Sequence, residues 1–91
     1  MKELKLSVII PVYNVEKYIE ACVECIYRQG IAEDEFEVIL INDGSTDYSL
    51  KIIQGLAEKH HNISIISQDN QGPSEARNKG IRMAKGEYIH F

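Results

Sequence analysis

Val38-Ile39-Leu40-Ile41-Asn42-Asp43-Gly44-Ser45-Thr46-Asp47 begins as an unbroken apolar run and ends in turn-forming polar residues. An apolar strand without alternation has no wet face, the pattern of a parallel strand covered on both sides by helices. Three short runs share it: Leu6-Ser7-Val8-Ile9-Ile10, Ile63-Ser64-Ile65-Ile66 and Tyr88-Ile89-His90-Phe91. Helical spacings lie between them. The first covers about 15–29, with Tyr18, Ile19, Cys22, Val23 and Ile26 on one stripe and Gly30 as a stop. The second covers about 47–60, capped by Ser45 or Thr46, and turns Leu50, Ile53, Leu56 and Ala57 inward. The third opens at Gly72-Pro73 and runs to about Lys85, before Gly86. The order β-α-β-α-β-α-β implies an open, mainly parallel α/β sheet with helices on both faces.

The chain has 91 residues, 10 Lys and Arg against 14 Asp and Glu, a net charge of −4 and 44% hydrophobic positions. That is one small core at most. An acidic balance without a basic run disfavours nucleic acid or an anionic membrane as partner. The apolar runs are far shorter than the roughly 20 residues of a membrane span, and Met1-Lys2-Glu3 leads into a strand pattern rather than a signal sequence, which points to the cytoplasm. Cys22 and Cys25, the only cysteines, fall in mid-helix near the apolar stripe, where buried thiols are expected rather than a redox pair. His60 and His61 close the second helix as surface residues, and His90 is expected to pack on a sheet face.

Ligands of open parallel sheets bind beyond the carboxyl ends of the strands. Those ends read Pro11-Val12-Tyr13-Asn14, Asn42-Asp43-Gly44-Ser45-Thr46-Asp47 and Gln68-Asp69-Asn70-Gln71-Gly72. If the first two strands are neighbours, Tyr13 and Asp43 face one another, and a ring with a carboxylate can stack on a nucleobase and accept from its N–H. Taken singly, Tyr13 is a rim residue and Asp43 a turn former. Gly44 and the amides opening the second and third helices offer weak anion contacts, but neither a dinucleotide fingerprint nor a Walker loop is present. Arg77 falls in the apolar sector of the third helix with Ala76, Gly80, Ile81, Met83 and Ala84, so it needs a partner: Asp69, Asp43 or a ligand phosphate.

Ser7 to Asn14, Val38 to Asp47, Asn70-Gln71-Gly72-Pro73-Ser74-Glu75-Ala76-Arg77-Asn78-Lys79-Gly80 and Ala84 to Ile89, in that order and spacing, resemble the start of family 2 glycosyltransferases. The resemblance covers nearly the whole chain. It implies a GT-A fold and transfer of sugar from a nucleotide diphosphate sugar, a UDP-sugar most often, to an acceptor hydroxyl with inversion, in glycan or polysaccharide synthesis. Pro11 and Tyr13 would border the base, Asn14 shape the loop, and Asp43 accept from the base. Asp69 and Asn70 would line the neighbouring nucleotide site. Arg77 would lie near the diphosphate or brace the acidic loop.

In such enzymes the strand beginning like Gly86-Glu87-Tyr88-Ile89-His90-Phe91 leads into an acidic pair that holds Mg²⁺ or Mn²⁺ on the diphosphate. The resemblance therefore makes residues 1–91 the N-terminal nucleotide-sugar-binding part of a domain, ending before the metal-binding motif and the general base, and inactive alone. Neither catalytic nor metal-binding residues are expected in it. It further implies a glycan or lipid-linked acceptor and a place at the inner face of the membrane for the longer protein. A sheet that stops at the fourth strand would expose apolar surface and an unpaired edge, which favours a homodimer. The alternative is a non-catalytic α/β ligand-binding or regulatory module. A receiver-like domain would want an acidic pair after the first strand, and a nucleotidyltransferase a Gly-rich basic loop there; Pro11-Val12-Tyr13-Asn14 supplies neither.

Overall fold

The computed structural model describes residues 5–84 with their side chains and 88–90 by their backbone. The elements run β1 (Leu6–Val12), α1 (Ile19–Tyr27), β2 (Phe36–Asp43), α2 (Ser49–Lys59), β3 (Ile63–Gln68), α3 (Pro73–Met83) and β4 (Tyr88–His90). All four strands are parallel, in the spatial order β3-β2-β1-β4. The α/β sheet expected from the apolar runs is therefore formed. Its order reverses beside β1: the chain steps outward through β2 and β3, then returns to place β4 on the other side of β1. The expectations for Met1-Lys2-Glu3, Gly86 and Phe91, for a third helix ending at Lys85, and for the His90 side chain lie outside the described residues.

Strand alternation divides the core between two faces. Val8, Val12, Val38 and Leu40 pack with Ile19 and Val23 of α1 and Ile53 and Leu56 of α2, whereas Ile9, Ile39 and Ile41 pack with Ala76 of α3. β2, central on both faces, has Val38, Ile39, Leu40 and Ile41 essentially inaccessible, and this burial is why its sequence has no polar alternation.

The helices differ in detail from their sequence periodicity. α1 starts at Ile19 rather than near Val15, because Val15 to Tyr18 form a turn in which the Val15 carbonyl accepts from the Tyr18 and Ile19 amides. Tyr18 stands on the exposed side, and Cys22 and Cys25 are exposed free thiols rather than buried ones: α1 buries a stripe only as wide as Ile19 and Val23. α2 starts at Ser49, and neither Ser45 nor Thr46 caps it; the Ser49 amide instead donates to Asp47 Oδ1 at 2.9 Å. His60, expected at the surface, is mostly covered. Its ring stacks on Tyr27 with centroids 3.7 Å apart, and Nε2 lies 3.0 Å from Glu24 Oε1. That contact is the foremost of the interactions that hold the Glu24 carboxyl below the usual carboxylate range.

Candidate functional site

Register brings the strand ends together. β1 and β2 pair through Val12 and Asn42, so Tyr13 and Asp43 emerge side by side, and β2 and β3 pair through Asp43 and Gln68. Beyond these ends a cavity of about 530 Å³ opens, lined by Pro11, Tyr13, Val15, Asp43, Asn70, Gly72, Pro73 and Arg77. That volume is within the usual range for small-molecule sites. Five of the seven residues singled out from sequence, Pro11, Tyr13, Asp43, Asn70 and Arg77, meet there. Asn14 and Asp69 do not line it.

Asp43 is 2% exposed. A buried carboxylate needs donors, and the end of β3 and the loop after it supply them: Gln68 Nε2 donates to Oδ1 at 3.0 Å, the Gln71 amide to Oδ1 at 2.7 Å and the Gly72 amide to Oδ2 at 2.9 Å. The Gln68 bond, followed by those from the two amides, outweighs burial and holds the Asp43 carboxyl below its ordinary range. The carboxylate is therefore ionised at neutral pH. Behind it, the Asn70 side-chain amide donates to the Asp43 carbonyl at 3.3 Å. The loop also crosses Gly44 closely: Gly44 has φ +72°, and a Cβ there would stand 2.9 Å from the Asn70 backbone nitrogen. Only glycine fits both the angle and the gap.

Asn14 takes its place in the wall instead. With φ 49° it turns β1 away from the sheet, and its Oδ1 accepts from the Thr46 amide at 2.8 Å and the Asp47 amide at 3.3 Å. Ser45 Oγ accepts from the Asn14 amide and donates to the Val12 carbonyl, each at 3.2–3.3 Å. The β1–α1 and β2–α2 loops are thus bolted together beside the cavity. The same interlock corrects the expectation that the start of α2 binds an anion: the Tyr48 amide already donates to Glu16 Oε2 at 3.0 Å and the Ser49 amide to Asp47 Oδ1. The start of α3, by contrast, borders the cavity through Gly72 and Pro73.

Arg77 is exposed and makes no ion pair among the described residues, with Asp43, Asp69 or any other carboxylate. The buried line of α3 is Ala76 and Gly80 alone, and Arg77, about 100° around the helix from Ala76, lies on the flank that borders the cavity. Ile81 and Met83, grouped with it in the apolar sector, are likewise exposed. Tyr13 is 47% exposed, leaving its ring accessible. The cavity thus joins an available aromatic ring, a fixed anion and a guanidinium unpaired among the described residues. Sequence reading passed over Gln68, Gln71 and Gly72 as partners of Asp43; the signal for Gln68 is its place at the end of the third apolar run, in parallel register with Asp43.

Among the described residues no group of three or more His, Cys, Asp or Glu side chains could hold a metal ion. With Asp43 engaged by three donors, these residues do not fit a divalent cation.

Comparison with known proteins is consistent across sequence and structure. The model of the family described as Glycosyl transferase family 2 matches residues 7–91. The uncharacterized glycosyltransferase EpsJ of Bacillus subtilis (strain 168) is 44% identical over 86 residues, 94% of this chain and 24% of its own length. The structure of S. aureus TarS 1–349 in complex with UDP-GlcNAc superposes with a TM-score of 0.87 at 35% identity, over 94% of this chain and 25% of that one. The mannosyltransferase PcManGT from Pyrobaculum calidifontis, in complex with GDP-Man and Mn²⁺, gives a TM-score of 0.87 at 28% identity, over 98% of this chain and 27% of that one. The chain spans about a quarter of the length of these relatives.

Proposed function

The chain belongs to glycosyl transferase family 2, and from that premise we propose that its strand-end cavity is the nucleotide site of a glycosyltransferase that takes its sugar from a UDP-sugar and passes it to an acceptor hydroxyl in glycan synthesis. The observation that carries the reading is the joining of Tyr13, Asp43 and Arg77 in one cavity at the reversal of strand order. Each answers a different part of a nucleoside diphosphate. The Tyr13 ring offers a stacking surface, worth roughly 1–3 kcal/mol against a base. The Asp43 carboxylate accepts from a ring N–H, such as the imide of uracil. The Arg77 guanidinium, which pairs with no carboxylate among the described residues, presents paired donors to a diphosphate.

These residues bind and orient the donor, and no step of sugar transfer is assigned to them. A divalent cation on the diphosphate would neutralise charge as the nucleotide departs. Its ligands are not found among the described residues.

The test is titration of the chain with uridine diphosphate, followed by NMR chemical-shift perturbation. The expected result is saturable binding, with the largest shifts at Tyr13, Asp43, Gly72 and Arg77. Absence of binding by uridine, guanosine and thymidine diphosphates alike, or shifts centred elsewhere on the sheet, overturns the reading.

A further inference from the structure

We infer that Gln68, which does not line the cavity, is a positioning residue that sets the base preference of the site by leaving Asp43 one acceptor position. The inference rests on the nucleotide reading above and assigns to it a residue whose side chain hydrogen-bonds Asp43. A carboxylate oxygen accepts two hydrogen bonds in good geometry. On Asp43, Oδ1 is filled by Gln68 Nε2 and the Gln71 amide, and Oδ2 takes the Gly72 amide. Among the described residues one acceptor position is left, on Oδ2.

The two backbone amides, one on each oxygen, fix the plane of the carboxylate. Gln68 does something different: it closes the second position of Oδ1. A base edge presenting a single central N–H, as uracil does, satisfies what remains. A cytosine edge puts an unprotonated, accepting ring nitrogen against Oδ2, where that N–H would be, and its amino donor, displaced toward Oδ1, meets an oxygen whose two acceptor positions are already filled. Removing the Gln68 donor reopens Oδ1 beside Oδ2 and gives such an amino group a partner. Gln68 can do this because it is the register partner of Asp43 at the last paired position of β2 and β3. Its side chain therefore lies alongside Asp43, away from the cavity mouth.

The test compares uridine and cytidine diphosphate binding by wild type, Gln68→Met and Gln68→Lys. Methionine keeps the length of the side chain without a donor, and lysine restores a donor to Asp43. Wild type is expected to favour uridine diphosphate at least tenfold, the effect of about one satisfied hydrogen bond. In Gln68→Met that ratio falls toward unity, and in Gln68→Lys it returns. A role in stability alone would weaken both ligands equally in Gln68→Met, and an unchanged ratio in that variant overturns the inference. If Gln68→Met fails to fold, Gln68→Leu, which also lacks the donor, decides: an unchanged ratio there, with the fold intact, overturns the inference. Wild type that binds no nucleoside diphosphate overturns the nucleotide reading itself, whereas wild type that binds with a ratio indifferent to position 68 overturns only the role of Gln68.

Discussion

Gly80 of α3 lies so close to Ile9 of β1 that a Cβ at position 80 would fall 2.3 Å from Ile9 Cγ2. Ile9 is fully buried and cannot swing aside. The near-contact lets α3 settle directly on the sheet and fixes the distance of Arg77 from the strand ends. With a clash this short against a branched, buried side chain, overpacking in Gly80→Ala is expected to cost about 2–3 kcal/mol, against the ~1 kcal/mol that alanine gains over glycine in a helix, for a net loss of about 1–2 kcal/mol. Urea denaturation measures it. An alanine variant as stable as the wild type would show that helix and strand can part without loss.

Asn14 holds the wall of the cavity through its conformation and through its side chain. Its φ of 49° is unfavourable for alanine, and its Oδ1 serves the Thr46 and Asp47 amides. Asn14→Ala is expected to lose about 1–3 kcal/mol, combining backbone strain with two unmet donors. Asn14→Gly relieves the strain alone and loses less. Equal losses for the two variants would remove backbone strain from the explanation.

The architecture was readable because β2 carries its burial in an unbroken apolar run, because β1 and β3 show short runs each interrupted by one serine, Ser7 and Ser64, and because Gly72-Pro73 marks where α3 starts. Tyr13 and Asp43 were legible as a pair because parallel neighbours bring successive strand ends together. The burial expected of Arg77 was misjudged for a physical reason. Periodicity weighs a helix face by residue type, whereas α3 buries only its two smallest contact residues, Ala76 and Gly80. The exposure of Cys22 and Cys25 has the same origin, a buried stripe on α1 limited to Ile19 and Val23. The donors to Asp43 were hidden more deeply, since two of them are backbone amides whose direction depends on the β3–α3 loop.

Arg77 is exposed and unpaired among the described residues, so its removal should leave the fold unchanged. Arg77→Ala is expected to weaken uridine diphosphate about tenfold, the scale of one charge-assisted hydrogen bond. Uridine, which lacks the diphosphate, should bind both proteins alike. Calorimetry with the two ligands separates the effects. Equal weakening of uridine and uridine diphosphate would take Arg77 off the phosphates and place its influence on the shape of the cavity.

Acid should unlatch the site. The Asp43 carboxyl is held below its ordinary range by Gln68 and by the Gln71 and Gly72 amides, and for Asp47 burial, the largest single effect, is outweighed by the summed bonds from Ser49, the Glu16 amide and its own amide, so it is lowered too. A carboxyl lowered on folding contributes stability that is complete above its unfolded value of about 3.9 and is lost as pH falls through the folded value. Thermal melts followed by circular dichroism from about pH 7 to about pH 2.5 should therefore hold a level Tm at first, then show a decline that begins near pH 4. Glu24, lowered foremost by His60, adds to the same decline. Asp43→Asn should melt lower at neutral pH, because an amide cannot accept from all three donors. It should also lose less on acidification, because the proton that breaks the latch has nowhere to bind. Parallel curves for the two proteins would mean that the Asp43 latch contributes nothing to acid sensitivity.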